Sequence, residues 1–296
     1  MRNVAAFAPA KINLYLHVIG RRPDGFHLLD SLVGFADIGD RVTASPAPSL
    51  GLTVAGPEAA ALAGIGADNL VTRAARAFAE LVGERRGAAL RLEKNLPVAA
   101  GIGGGSADAA ATIRALAALW GVQIDDRVIA LAASLGADVP ACLAGRPAWV
   151  GGIGERIEPA VDLPEFGIVL ANPRIPLPTP DVFRARTGTF SEPARFRPIP
   201  SDPQALAEML TTRRNELTEA ATGLVPEIAA VLGRLAALPG ALLARMSGSG
   251  ATCFALFAER KAAVAARSTL AADRPSWWSA AGVVVSPQAR LFETIS

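Results

Sequence analysis

One stretch, Pro97-Val98-Ala99-Ala100-Gly101-Ile102-Gly103-Gly104-Gly105-Ser106-Ala107-Asp108-Ala109-Ala110, constrains the chain more than any other, because it runs a cluster of glycines directly into a strong helix former. Glycines let successive backbone N–H groups turn inward with no Cβ in the way. A helix N-capped at Ser106 adds unpaired amides and the positive end of its dipole. The expected occupant is a polyphosphate, and the expected local order is strand (Ala88 to Glu93), loop, helix.

The chain of 296 residues is long enough for two domains, with the best junction between Pro159 and Pro164. Hydrophobic residues make up 51% and charged ones 19%, which argues against disorder and for an alanine-filled, helix-rich interior. Basic and acidic residues number 29 and 27 and are interspersed, so no tract suggests a nucleic-acid surface, and the expected partner is a small molecule. Cys142 and Cys253 lack metal-ligand spacing and histidines number two, which leaves a structural zinc site or disulfide framework without candidates. Apolar runs at Val4–Ile19 and Ile228–Met246 are interrupted by polar or charged residues, so neither a signal peptide nor a membrane span is expected, and the location is read as cytoplasmic.

Lys11 to Val18 alternates, with Lys11, Asn13, Tyr15 and His17 on one face, as in a half-buried strand whose polar side meets water or a ligand. Asn69 opens a helical period through Leu70, Ala74, Ala77 or Phe78, and Leu81. Further helices are expected at Asp126–Leu135, Pro203–Ala221, Leu224–Ala237 and Glu259–Ala272, and strands at Phe166–Ala171, Leu242–Ser247, Thr252–Phe257 and Ala281–Val285. Gly136-Ala137-Asp138-Val139-Pro140 ends a helix and places Asp138 at a turn. The two proline-rich loops around 173–180 and 193–203 should be ordered only by docking. The segregated elements read as α+β.

Spacing removes three familiar cradles. A P-loop needs Lys-Ser/Thr after its last glycine, where this chain has Ser106-Ala107-Asp108. A dinucleotide fingerprint needs glycine at position 106. A protein-kinase glycine loop needs companion lysine and His-Arg-Asp motifs that are missing here. Three segments in order, Ala8-Pro9-Ala10-Lys11-Ile12-Asn13-Leu14, the stretch Pro97 to Ala110, and Met246-Ser247-Gly248-Ser249-Gly250-Ala251-Thr252-Cys253-Phe254, instead resemble the GHMP kinases, small-molecule kinases such as those for homoserine, mevalonate and galactose. Arg22-Pro23-Asp24-Gly25-Phe26-His27 and the Asp138 turn are similar to the branch that acts on a cytidyl-diphosphate alcohol in isoprenoid-precursor synthesis. Ala107 replaces a common second serine, Phe26 a common tyrosine, and Asn215-Glu216-Leu217 stands where Asn-Asp-Leu is usual.

The resemblance implies an α+β, two-domain GHMP kinase fold: an N-terminal ribosomal-protein-S5-like α/β domain (1–160) that binds ATP and a C-terminal ferredoxin-like α+β domain (161–296). It implies Asp138 as the group that accepts the alcohol proton and Lys11 as its charge partner. Residues Pro97, Val98, Ala99, Ala100, Gly101, Ile102, Gly103, Gly104, Gly105, Ser106 and Ala107 would hold ATP. Asn13, Phe26, His27, Thr179 and Phe183 would hold the cytidyl-diphosphate substrate, and Gly248, Ser249 and Gly250 would close on the site. Mg²⁺ would accompany ATP with Ser106 as its one candidate protein ligand, and the protein would act as a monomer or homodimer without nucleic acid or membrane. Each residue also has a plainer reading on its own: a turn-former (Asp138), a solvated strand charge (Lys11), loop-base packing (His27), an N-cap and core aromatic (Thr179, Phe183), a tight turn (Gly248–Gly250). A different GHMP kinase, or a nucleotide-binding protein of this fold without turnover, is the alternative.

Overall fold

The alternating N-terminal segment is the middle of a far longer strand. The computed structural model describes residues 3–63, 69–160, 162–284 and the backbone of 292–295. β1 (Asn3–Arg21) turns through Pro23–Gly25 into β2 (His27–Ala47), and the two form an antiparallel ladder from Val4↔Ala44 to Arg21↔His27. Register shifts at Pro9/Lys11, Asn13/Tyr15 and Val18/Gly20 interrupt it. Each re-aims the side chains that follow, so the period of two does not persist, and Ile12, Leu14 and Tyr15 are all fully buried.

β2 continues into pairing with β4 (Gly87–Glu93), which runs parallel to β3 (Gly51–Ala55), and with β5 (Ala148–Gly152), which forms a hairpin with β6 (Arg156–Pro159). Four helices cover this sheet: α1 (Leu70–Val82), α2 (Gly104–Trp120), α3 (Asp126–Leu135) and α4 (Val139–Ala144). α1 starts where its sequence predicts, with Asn69 Oδ1 accepting from Val71 N at 2.9 Å, and it stops at Gly83 in the left-handed conformation. Its buried stripe of Val71, Ala74, Ala75 and Phe78 meets α2 and the sheet, and the rings of Phe78 and Trp120 stack at 5.9 Å.

The second half follows a strand–helix–strand–strand–helix–strand order. β7 (Phe166–Asn172), β8 (Leu243–Met246), β9 (Cys253–Phe257) and β10 (Trp278–Val284) form an antiparallel sheet in the order β10-β7-β9-β8. That is the ferredoxin-like arrangement. One pairing, Val284↔Ala36, joins it to β2. Between β7 and β8 lie α5 (Thr179–Ala185), α6 (Pro203–Thr211), α7 (Thr218–Leu224) and α8 (Glu227–Ala236), and α9 (Arg260–Asp273) precedes β10. The single helix read over Pro203–Ala221 is broken: Arg214–Glu216 leaves helical geometry to pair with Leu16, and Asn215 Oδ1 takes the N–H of Leu217. The last strand reaches Val284, and Val285 lies outside the described residues. The proline-rich loop is docked as expected, with Ser191 N bonded to Val18 O and Ala194 N to Asp30. Among the described residues no helix is long and apolar enough to cross a membrane.

Candidate active site

The glycine loop and α2 form one wall of a cleft of about 560 Å³ lying between the two halves. The helix cap lies three residues earlier than the sequence suggests. Gly103, in the left-handed conformation at φ 65°, is the N-cap, Gly104 and Gly105 open the first turn, and Ser106 is the third helical residue rather than the cap. A serine cap needs extended backbone, whereas here the turn is made by a residue that has no Cβ penalty. The amides of the first turn have no carbonyl one turn before them, so the cradle amides are those of Gly104, Gly105 and Ser106, while Ala107 N–H is bonded to Gly103 O.

Two glycine loops touch backbone to backbone at the floor of the cleft. A Cβ on Gly101 would lie 2.6 Å from the carbonyl oxygens of Ser247 and Gly250, and one on Gly248 would lie 2.5 Å from Gly101 O. Ser247 ties the contact to β1, because its hydroxyl donates to Gly101 O and accepts from Asn13 N, both at 3.1 Å. Asn215 holds the far side, donating to Met246 O and Gly248 O at 2.8 Å each.

Lys11 and Asp138 meet across the cleft mouth, Nζ to Oδ1, at 2.6 Å. β1 delivers Lys11, whose N–H donates to Ile102 O in the glycine loop at 2.9 Å. Asp138 is the N-cap residue of α4, but its side chain does not cap. It turns to Lys11 instead and stays 37% exposed, accessible to a ligand. Behind this pair lies a buried triad that the sequence did not disclose. Lys94 Nζ donates to Asp40 Oδ2 at 2.5 Å and to Asp108 Oδ2 at 2.8 Å. Asp40 also accepts from Asn95 N and Leu96 N, whereas Asp108 Oδ1 is unpaired and burial pushes the Asp108 carboxyl up to about 8.

Of the proposed substrate residues, Asn13, Thr179 and Phe183 line the cleft with Gly248 and Ser249, and Thr179 Oγ1 and Ser249 Oγ are 2.7 Å apart. His27 stacks on Phe183 with ring centres 5.2 Å apart, and burial together with Arg21 and Arg186 lowers its pKa. Phe26 stands beside it on the β1–β2 turn, 58% exposed, so in this structure Phe183 rather than Phe26 is the ring that faces His27. The polar face read on β1 divides. Lys11 and Asn13 line the cleft, but Tyr15 is fully buried with its hydroxyl on Asp30 at 2.9 Å, and His17 is buried beside Arg214. Asp30 of β2, itself held by Ala194 and Arg195, and Arg214 of the docked segment take the place of water or ligand there.

Comparison with known sequences follows this geometry closely. The family description "GHMP kinases N terminal domain" matches residues 69–146 and "GHMP kinases C terminal" matches 196–274. A 4-diphosphocytidyl-2-C-methyl-D-erythritol kinase of Paramagnetospirillum magneticum is 52% identical over 287 residues, covering 97% of this chain and all of that one. The chain belongs to the GHMP kinases. Another relative of the same name, from Cereibacter sphaeroides, is 55% identical over 278 residues, covering 93% of this chain and 97% of its own. The crystal structure of a 4-(cytidine 5'-diphospho)-2C-methyl-D-erythritol kinase superposes with a TM-score of 0.78 at 37% identity over 95% of this chain and 99% of that one. A homoserine kinase from Cytophaga hutchinsonii, 18% identical over 99% of this chain and 97% of its own with a TM-score of 0.72, shares the fold. This GHMP kinase is a small-molecule kinase, and ATP is the phosphate donor of its family.

Proposed function

We propose that this GHMP kinase transfers the γ-phosphoryl group of ATP to the 2-hydroxyl of 4-diphosphocytidyl-2-C-methyl-D-erythritol, a step of non-mevalonate isoprenoid-precursor synthesis. The observation that carries the mechanism is the Lys11–Asp138 ion pair at 2.6 Å, set across the cleft from the amides of α2. Phosphoryl transfer depends on positioning, on neutralising the transferred group and on removing the acceptor proton. Asp138 takes the hydroxyl proton as the alcohol oxygen bonds to the γ-phosphorus, and ADP leaves with the electrons of the broken P–O bond. The ammonium of Lys11 pairs with the carboxylate and orients it, and faces the charge that develops on the transferred group. The segment Pro97–Ala107 holds the triphosphate through its free backbone N–H groups, to which Pro97 contributes none and Ala107, bonded to Gly103 O, contributes none, and the Gly248–Gly250 loop closes the other side.

Asn13, Thr179, Phe183 and His27, with Phe26 at the turn, hold the cytidyl end. A neutral imidazole can exchange hydrogen bonds with a cytosine edge, and Phe183 supplies an aromatic face. A divalent ion needs several oxygen ligands, and among the described residues no group of three His, Cys, Asp or Glu could provide them. Mg²⁺ would therefore be held by ATP's own oxygens with the Ser106 hydroxyl beside them, where it neutralises phosphate charge. Residues 1–160 and 161–296 are read as the ATP-binding and closing domains of a cytoplasmic enzyme, monomer or homodimer, that works on small molecules alone. The mixed surface charge supports that reading.

The test is ADP release with ATP and Mg²⁺ in the presence of the cytidyl substrate, homoserine or mevalonate, repeated for Asp138→Ala. Turnover with the cytidyl substrate alone, reduced by about three orders of magnitude in the variant, is the expected result. Equal turnover with homoserine, or an active Asp138→Ala, overturns it.

A further inference from the structure

We infer that Arg114, buried in the middle of α2 and remote from either substrate, is a positioning residue that sets the approach of Lys11 to Asp138. Its guanidinium is 1% exposed and has no carboxylate partner among the described residues. Nη1 donates to Cys142 O at 2.8 Å and to Leu143 O at 3.3 Å, and Nη2 donates to Phe7 O at 2.8 Å. Cys142 and Leu143 form the last turn of α4, whose N-cap is Asp138. Phe7 lies on β1, the strand that carries Lys11. One rigid fork thus grips both elements that deliver the ion pair.

The linkage to each partner is short. Cys142 N–H donates to Asp138 O at 3.1 Å while Cys142 C=O accepts from Arg114, so a single residue connects the guanidinium to the backbone of Asp138. Lys11 follows Phe7 along the same extended strand. α2 itself starts at the phosphate cradle, about 15 Å along the helix axis from Arg114, so the same helix places the nucleotide and the pair that works on it. Burying a guanidinium without a carboxylate partner is costly, and burial pulls its pKa down to about 10. A methionine or leucine would fill an all-apolar helix face without that penalty. What the guanidinium adds over them is a fixed spacing among three backbone carbonyls.

This inference rests on the reading of Lys11 and Asp138 given above, and its test separates the two. In the full-length enzyme, with ATP, Mg²⁺ and the cytidyl substrate, kcat and both KM values are measured for Arg114→Met, Arg114→Lys, Asp138→Asn and Leu270→Ala. The last truncates a buried residue of α9 on the far sheet and serves as a stability control. Arg114→Met is expected to lower kcat about 100-fold with both KM values within about threefold, the pattern of misplaced reacting groups. Arg114→Lys, which can reach some of the carbonyls but not hold all three, is expected near a tenfold loss and serves if the methionine variant does not fold. Leu270→Ala should lose thermal stability and keep its kcat. Adding Arg114→Met to Asp138→Asn should cost little more, since both act through one pair. Full kcat in Arg114→Met or Arg114→Lys, or a kcat loss that Leu270→Ala reproduces at equal stability, overturns the role of Arg114. If Asp138→Asn alone keeps full kcat, the reading of the pair falls and the inference falls with it.

Discussion

Gly101 and Gly248 occupy positions that no other residue fits, and the reason lies in three dimensions rather than in either loop. Both have left-handed backbone, at φ 72° and 54°, and each presses against the carbonyls of the other's loop. Gly101→Ala forces the phosphate loop and the Gly248–Gly250 loop apart, because neither obstacle is a movable side chain. The expected result is a loss of about 2 kcal/mol in thermal unfolding and a rise in the KM for ATP of about tenfold or more. An alanine variant with unchanged KM would mean the loops separate without consequence. His27 makes a second residue-scale prediction. Burial first, then Arg21 and Arg186, lower its pKa from 6.5, so the folded state resists its protonation. Stability from the neutral ring is therefore present above pH 6.5 and is lost as the pH falls from there through the lowered pKa. The KM for the cytidyl substrate should be flat from about pH 8 to 6.5 and rise below, and His27→Gln should abolish the rise. The motif glycines, Lys11 and Asp138 were legible because backbone-hugging loops and a lysine motif are local in sequence. The partnership of Phe183 with His27 was not, since it joins positions 27 and 183 across the two halves.

Among the elements, α2 carries most of the site, and its polar interior shows where reading a sequence falls short. Its alanines pack against β1 and β2 and let the helix lie close to the sheet, as an Ala-filled interior predicts. Asp108 and Arg114 sit inside this apolar pattern with exposures of 3% and 1%. A charged residue on a face that is otherwise alanine is itself a signal of a buried partner, and that signal was available without the structure. The partners, Lys94 and Asp40 for one and the Phe7 and Cys142 carbonyls for the other, are set by tertiary packing alone. The start of α2 departs from local preference for a related reason: Ser106 has a strong capping preference, and the left-handed Gly103 overrides it. Asp108 yields a prediction with a definite sign. Its carboxyl, pushed up to about 8 by burial, binds a proton in the folded state that the unfolded chain releases near 3.8. That contribution to stability is complete below pH 3.8 and is lost as the pH rises through about 8. Asp108→Asn does not titrate, so its thermal stability relative to the parent should improve as the pH rises from 5 to 8.5, by up to about 4 kcal/mol at about 1.4 kcal/mol per pH unit. A difference independent of pH would show that Lys94 keeps Asp108 ionised throughout.

At the scale of the whole molecule the two halves share a hydrophobic core and many polar contacts, and three of these links differ in kind. One is the β10–β2 pairing, a second is the Ser247 bridge between Asn13 and Gly101, and a third is a fork-to-fork ion pair, Arg174 to Glu58 at 2.8 and 3.1 Å. Arg174 leaves β7 in left-handed conformation at φ 63°, steadied by Asn172 Oδ1 on its N–H at 2.7 Å. The other amide of that balance, Asn172 Nδ2, donates to Thr252, whose own N–H reaches Ala100 O in the phosphate loop. Glu58 lies on the opposite bank, its side chain 6% exposed and its N–H bonded to Lys94 O, so it touches the strand end from which the cradle springs. Arg174→Ala leaves that carboxylate buried without its cation. The expected cost is about 1 kcal/mol, at the low end for a buried charged group because Arg174 itself is half exposed. Since the ion pair sets the spacing of the banks and touches no reacting group, the KM for ATP should rise about three- to tenfold while kcat changes less than twofold. Glu58→Gln added to Arg174→Ala should recover much of the stability, because the stranded charge is gone, but not the KM, because the banks remain unlinked. Recovery of both together would mean that the ion pair stabilises the fold without setting the width of the cleft.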